Sequence, residues 1–244
     1  MQGSKKWGFV WWATGNNAGR AVRGFLGDVG CDDFYVYNNE GEIEQRIKDG
    51  KKIYGWRTHK QGVPKGFNKP IIISNARNPY DRATWGLLSV HNVNFYKKHG
   101  RELNYGEMKN ILEKFLKSTS PTVPNIWNDC CFWKQFPILN LYPDYYIRVE
   151  NLEEDIKKID CIMDNADPST LEEAFNVHVR NNRYRRGEKI KFDLPERKVE
   201  YNEDGTREWR KFYNQELADL VYEHWEDGFT LMGYDRDSWK INKN

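Results

Sequence analysis

Short apolar runs alternate with polar turns along this chain, and most of the runs are too brief to be helices. Trp7-Gly8-Phe9-Val10-Trp11-Trp12 leads into the Gly/Asn-rich stretch Ala13-Thr14-Gly15-Asn16-Asn17-Ala18-Gly19-Arg20 and then Ala21 to Leu26, which predicts strand, loop and helix. Phe34-Tyr35-Val36-Tyr37 predicts a second strand, Glu40 to Lys48 a short charged helix closed by Gly50, and Lys52 to Trp56 a third strand. Ile71-Ile72-Ile73 reads as a buried strand. Pro79 suits the first turn of a helix, where its missing N–H is not needed, and that helix is expected to run to about His99.

Farther along, Tyr105 to Lys117 sets Met108, Ile111, Leu112, Phe115 and Leu116 on one side, the spacing of an amphipathic helix. Ser118 to Asn128 carries Pro121 and Pro124 and reads as a loop; Asn125 to Pro143 is rich in aromatic residues, which serve packing or an acceptor pocket. Asp144 to Asp155 predicts a strand ending at an Asn151 N-cap, with Glu154 placed as in a capping box. Arg148 and Glu150 fall on the same side of that strand, where they can pair. Phe175 to Phe192 is strongly basic. Trp209 to Asp227 spaces Phe212, Leu217, Leu220, Val221 and Trp225 as a helix does, ahead of a tail in which Phe229, Leu231 and Tyr234 plug the core.

Composition narrows the picture in a few places. With 244 residues, 39% of them hydrophobic, and no repeat or low-complexity tract, residues 1–244 are expected to form a single domain. Lysine and arginine total 38 against 36 acidic residues, so the net charge of +2 gives no global field that would require nucleic acid or an anionic membrane, and any anion site must be local. No apolar run approaches the ~20 residues that cross a bilayer. Met1 to Lys6 lacks the apolar core of a signal peptide, so the expectation is a soluble, cytoplasmic protein. The 4 cysteines have neither a CxxC nor a metal-like spacing with histidine, which points to reduced thiols and no metal site.

Two strand-to-helix turns carry candidate chemistry. In such a unit the turn lies at the carboxyl end of the strand, where open α/β sheets bind ligands, and Arg77 and Asn78 sit there beside a helix start that favours an anion. The loop from Thr14 to Ala18 offers backbone N–H groups and a helix dipole to a phosphate. It is not a Walker loop: Gly15 and Gly19 are four apart, and Arg20 and Ala21 stand where lysine and a magnesium-binding hydroxyl would be. Each turn also has a plain structural reading, as a helix start with solvated charges and as a turn without ligand.

The segment Arg77-Asn78-Pro79-Tyr80-Asp81-Arg82 resembles the R-[ND]-P-Y-[DE]-R motif of sulfotransferases that use 3′-phosphoadenosine 5′-phosphosulfate (PAPS), especially the carbohydrate-type branch. The resemblance implies that Arg77 grips the 3′-phosphate; the serine that the family places eight residues later is Trp85 here, with Thr84 beside it. By position Trp12 to Asn17 corresponds to the family's 5′-phosphosulfate loop, with Ala13 at its lysine, Asn16 and Asn17 at its hydroxyl pair, and Arg20 one turn along. Arg57-Thr58-His59-Lys60 resembles the K-[TS]-H segment that carries the catalytic base. An imidazole can take an acceptor's proton near neutral pH, although a loop histidine is also an ordinary surface residue. Asp144 to Asp155 is similar to the family's strand-to-helix stretch, and Trp209 to Asp235 to its closing helix and tail. Arg185-Arg186-Gly187 resembles its late basic loop over the 3′-phosphate and adenine; the rival readings are a solvated basic face and, less in keeping with a nearly neutral chain, a nucleic-acid patch.

What this resemblance implies is an α/β fold, a three-layer sandwich with a central parallel sheet flanked by helices, of the P-loop NTPase-like sulfotransferase type. The implied activity is transfer of the sulfuryl group from PAPS to a hydroxyl or amine of a small-molecule or carbohydrate acceptor, leaving adenosine 3′,5′-bisphosphate. His59 would act as base, and Thr14, Gly15, Asn16, Asn17, Ala18, Arg20, Arg77, Thr84, Arg185, Arg186 and Gly187 would hold the nucleotide. Ala13 and Trp85 keep open a second reading, a nucleotide-binding protein of the same fold without turnover; a P-loop kinase is a third. The acceptor and the oligomeric state are not legible.

Overall fold

The apolar run ahead of the Gly/Asn loop forms β2 (Phe9–Trp12) in the computed structural model, and the β-branched run ahead of Arg77 forms β5 (Ile71–Ala76) parallel to it. The structure describes residues 2–12, 18–31, 33–37, 43–46, 67–87, 92–101, 103–117, 142–180 and 209–240. These fall into two compact units, one from Met1–Ala76 and Ile138–Asn182, the other from Arg77–Pro137 and Arg183–Asn244.

The first unit holds a six-stranded sheet in the order β4-β3-β1-β2-β5-β6, built also from β1 (Gln2–Ser4), β3 (Asp33–Tyr37), β4 (Ile43–Arg46) and β6 (Tyr145–Arg148). An α/β architecture is therefore present, but the sheet is mixed and not the parallel one expected. β2, β5 and β6 run parallel, whereas β1–β2, β1–β3 and β3–β4 are antiparallel. Connection length is the reason for the first and the last of these pairings. Only residues 5–8 join β1 to β2 and 38–42 join β3 to β4, and such short links cannot make the crossover that parallel pairing needs.

Two strands depart from the sequence reading. β1 has no apolar residue to mark it, and Gly3 serves close packing: a Cβ there would lie 2.5 Å from the Phe9 carbonyl oxygen. β4 occupies part of the charged segment read as a helix. Its backbone groups find partners on β3, pairing that overrides local propensity, and its charged residues suit an edge strand. The expected strand at residues 52–56 and the aromatic segment at 125–141 lie outside the described residues.

One face of the sheet is covered by α1 (Gly19–Asp28), α5 (Leu152–Ile156), α6 (Asp160–Met163), α7 (Pro168–Ala174) and a π-helical segment, Phe175–Arg180. Phe9 and Trp11 point to the same side by the two-residue strand period and join Ile73 and Ile147 in a core with Val22, Phe25, Leu26, Ile156 and Phe175. The capping box expected at Asn151 is absent. A 3₁₀ turn, Val149–Asn151, precedes α5, and the Asn151 side chain makes no capping bond. Asp155 closes the turn instead, accepting from the Arg148 backbone N–H at 3.0 Å and from its guanidinium at 2.8 Å, so Arg148 has a partner that the same-side argument with Glu150 did not include.

The second unit is helical: α2 (Pro79–Gly86), α3 (Asn92–His99), α4 (Tyr105–Lys117), a 3₁₀ turn Trp209–Phe212 and α8 (Gln215–Met232). α4 has the expected bounds and carries a capping box. The Glu107 N–H donates to Asn104 Oδ1 and the Asn104 N–H to Glu107 Oε2, both at 2.9 Å. Arg101 forks onto the same carboxylate, and its hydrogen bond foremost holds Glu107 down at about 2. α8 begins at an Asn214 cap, is kinked at Trp225, whose φ of −124° and ψ of 24° are not helical, and resumes past the expected stop at Asp227 to the left-handed cap at Gly233, φ 68°. Phe229 thus reaches the core from a helix and not from a tail, beside Tyr80, Trp209, Tyr213, Leu217 and Val221.

Candidate functional site

Parallel pairing of β2 with β5 sets Trp12 opposite Ser74, so the two strands end side by side. Side chains fasten these ends: Ser74 Oγ donates to the Trp12 carbonyl at 2.5 Å, and the Trp11 indole N–H donates to Asn75 Oδ1. Each strand then runs into one of the two turns singled out from the sequence.

Of the first turn, Thr14, Gly15, Asn16 and Asn17 lie outside the described residues. Ala18, its last residue, is the N-cap of α1 and sits in the left-handed region at φ 52°, ψ 24°. Its carbonyl accepts from the N–H groups of Ala21 and Val22 at 3.0 and 3.2 Å. Among the described residues no side chain caps α1, and its first turn holds no acidic residue to meet the positive end of the helix dipole. Arg20 belongs to this turn by its backbone; its side chain is outside the described set. Left-handed geometry costs a non-glycine residue roughly 1–2 kcal/mol, and a bend of this hand before a helix turns successive N–H groups toward one point.

The second turn is described completely. Asn78 caps α2, its Oδ1 accepting from the Tyr80 N–H at 3.0 Å while its Nδ2 donates to Ser238 Oγ at 2.9 Å. Arg77 Nε donates to Asp81 Oδ2 at 2.6 Å, one helical turn along, with the two side chains 15% and 12% exposed. The other carboxylate oxygen, Asp81 Oδ1, is buried without a hydrogen-bond partner among the described residues. Thr84 is buried in the unit's interior. Its hydroxyl donates to the Tyr80 carbonyl at 3.0 Å and lies 3.2 Å from the Tyr213 hydroxyl, which engages it within the fold and not at the turn. The Trp85 side chain is not described.

His59, Arg185, Arg186 and Gly187 lie outside the described residues. Arg180, the first arginine of the basic run, is described and is committed to ion pairs: its guanidinium meets Glu153 through Nε at 2.8 Å and also Glu172, with Asn176 at 2.9 Å. Hydrogen bonding from Arg180 foremost lowers Glu153 to about 2. Among the described residues no group of histidine, cysteine, aspartate and glutamate is arranged to hold a metal, and no helix is long and apolar enough to cross a membrane. Cys31 and Cys161 form no disulfide among the described residues, and burial pushes the Cys161 thiol up to about 11.

The sequence reads Asp81 as a solvated helix-start charge and singles out neither Ser74 nor Asn75. The four-residue spacing of Arg77 and Asp81 was the available signal for the first. The two polar residues were hidden at the end of an apolar run. Comparison of the chain with protein-family models, curated proteins and solved structures finds no match.

Proposed function

We propose that this chain is a sulfotransferase that takes the sulfuryl group from PAPS and passes it to a hydroxyl or amine of a small-molecule or carbohydrate acceptor. Two helix starts, each taken within its own unit, support the reading: that of α1, where Ala18 makes no side-chain cap and the first turn holds no acidic residue, and that of α2, whose Arg77, fixed beside the Asn78 cap, is the observation that carries it. Both are chemically suited to phosphate oxygens, the first through backbone N–H groups and the second through a guanidinium. The resemblance of the ordered motifs gives these turns their ligand. Residues Thr14 to Ala18 with Arg20 would receive the 5′-phosphosulfate, and Arg77 with Arg185, Arg186 and Gly187 the 3′-phosphate. Thr84 drops out of that set because its hydroxyl is taken up within the fold. The fold of this reading is the three-layer sulfotransferase type, and its location cytoplasmic.

In the transfer the acceptor oxygen or nitrogen forms a bond to sulfur as the bond from sulfur to the 5′-phosphate oxygen breaks. The acceptor's proton passes to His59 and adenosine 3′,5′-bisphosphate leaves. Positioning and charge stabilisation by this chain's own groups would supply the rate. Ala13, in place of the family's lysine, favours a second reading in which the nucleotide binds without turnover.

Release of adenosine 3′,5′-bisphosphate from PAPS across a panel of hydroxyl and amine acceptors separates the two. The wild-type chain is expected to turn over, and His59→Ala to lose about 10²- to 10⁴-fold of that rate while its bisphosphate affinity stays unchanged. An unaltered rate removes His59 from the mechanism. Tight bisphosphate binding with no turnover in the wild type establishes the second reading.

A further inference from the structure

We propose that Asp81 is a positioning residue that orients the Arg77 guanidinium for a phosphate; this rests on the nucleotide reading above. The Arg77 Nε–H donates to Asp81 Oδ2 at 2.6 Å. Since a guanidinium is planar, a bond through Nε fixes the plane in which its two terminal nitrogens lie, and two-point recognition of a phosphate depends on that plane. The carboxylate itself stands on a fixed element. Asp81 is in the first turn of α2, whose start is held by the Asn78 cap and by the bond from Asn78 to Ser238.

Stability alone does not account for the pair. An ion pair at this spacing adds little to a helix, whereas enclosing a carboxylate with one oxygen lacking a hydrogen-bond donor is unfavourable. That oxygen is sealed from solvent, so Asp81 acts on a ligand through Arg77 and not by direct contact. Tyr80, the residue before Asp81, is wholly buried and ties the same turn to the Arg236 carbonyl at 2.8 Å.

Calorimetric titration of the full chain with adenosine 3′,5′-bisphosphate and with adenosine 5′-monophosphate tests the inference, because their affinity ratio isolates the 3′-phosphate. The wild type is expected to prefer the bisphosphate and Arg77→Ala to lose that preference. Asp81→Ala should lower the ratio about tenfold with the monophosphate affinity unchanged. Asp81→Asn, which keeps an oxygen for Nε without the charge, should lower it about threefold, as for a charge-assisted bond made neutral. Thermal unfolding of each variant shows that it is folded, and if Asp81→Ala is not, Asp81→Asn decides. A ratio that falls in Arg77→Ala but not in the Asp81 variants overturns the positioning role alone. No preference in the wild type overturns the nucleotide reading and the inference with it.

Discussion

Replacing Tyr80 by alanine is expected to destabilise the helical unit by about 3–5 kcal/mol, the range for emptying a fully buried aromatic site. The ring has no exposed surface; it meets Tyr213 and Phe229 edge-on at 5.0 and 4.9 Å between centroids and stacks on Trp209 at 6.2 Å. Trp209 of the 3₁₀ turn, Tyr213 just after it and Phe229 of α8 converge on it, so no single side chain can close the gap. Its hydroxyl donates to the Arg236 carbonyl, and burial raises its pKa, which keeps the donor protonated at every pH where the protein is studied. Tyr80→Phe therefore isolates the hydrogen bond, with an expected loss of about 1–2 kcal/mol because the carbonyl is left without that donor. Urea unfolding followed by tryptophan fluorescence gives both values. A loss under about 1 kcal/mol for Tyr80→Ala would mean that the cluster does not hold this unit together.

Asp155→Ala is expected to cost the sheet-bearing unit about 3 kcal/mol, as for breaking a largely buried ion pair from one side. The carboxylate is 4% exposed against 27% for Arg148, and it receives three bonds from that residue and one from Lys158 at 2.9 Å. Burial pushes its pKa up, but the Arg148 and Lys158 hydrogen bonds outweigh burial and hold it below the ordinary carboxylate value. A group whose pKa is lowered in the folded state adds stability above its unfolded pKa of 3.8 and loses it as the pH falls through the folded value. The gap between wild type and Asp155→Ala should accordingly be full at pH 7 and shrink as the pH drops below about 4. A gap that is the same at both ends of this range would show that the carboxylate contributes by shape and not by charge.

How far the fold could be read depended on where the physical signal lay. α4 follows its apolar stripe, and Pro79 marks the start of α2 because both features are local. β1 and β4 were missed for a shared reason. Their residues make no period of their own, and what forms them is backbone pairing with strands that the sequence order does not disclose. Capping residues misled in a similar way: Asn151 and Glu154 have the spacing of a capping box, yet that arrangement is realised at Asn104 and Glu107. At Asn151 the preceding turn is 3₁₀ and the competing acceptor Asp155 is already in place. For the candidate site, the positions of Arg77 and Ala18 beside their helices were legible as strand-to-helix turns. The Thr84 hydroxyl's engagement with Tyr213 was not, since its partner is 129 residues away.

Titration with adenosine 3′,5′-bisphosphate tests the central claim most directly, with Arg77→Ala alongside and ATP as the competing nucleotide. The account predicts a dissociation constant of about 1 μM or tighter for the bisphosphate, corresponding to roughly −8 kcal/mol, and weaker binding of ATP. Arg77→Ala should then forfeit about 1.5–3 kcal/mol of it, the worth of hydrogen bonds to a charged group. Absence of bisphosphate binding, or equal affinity in Arg77→Ala, would contradict the assignment of these two turns to a sulfuryl donor.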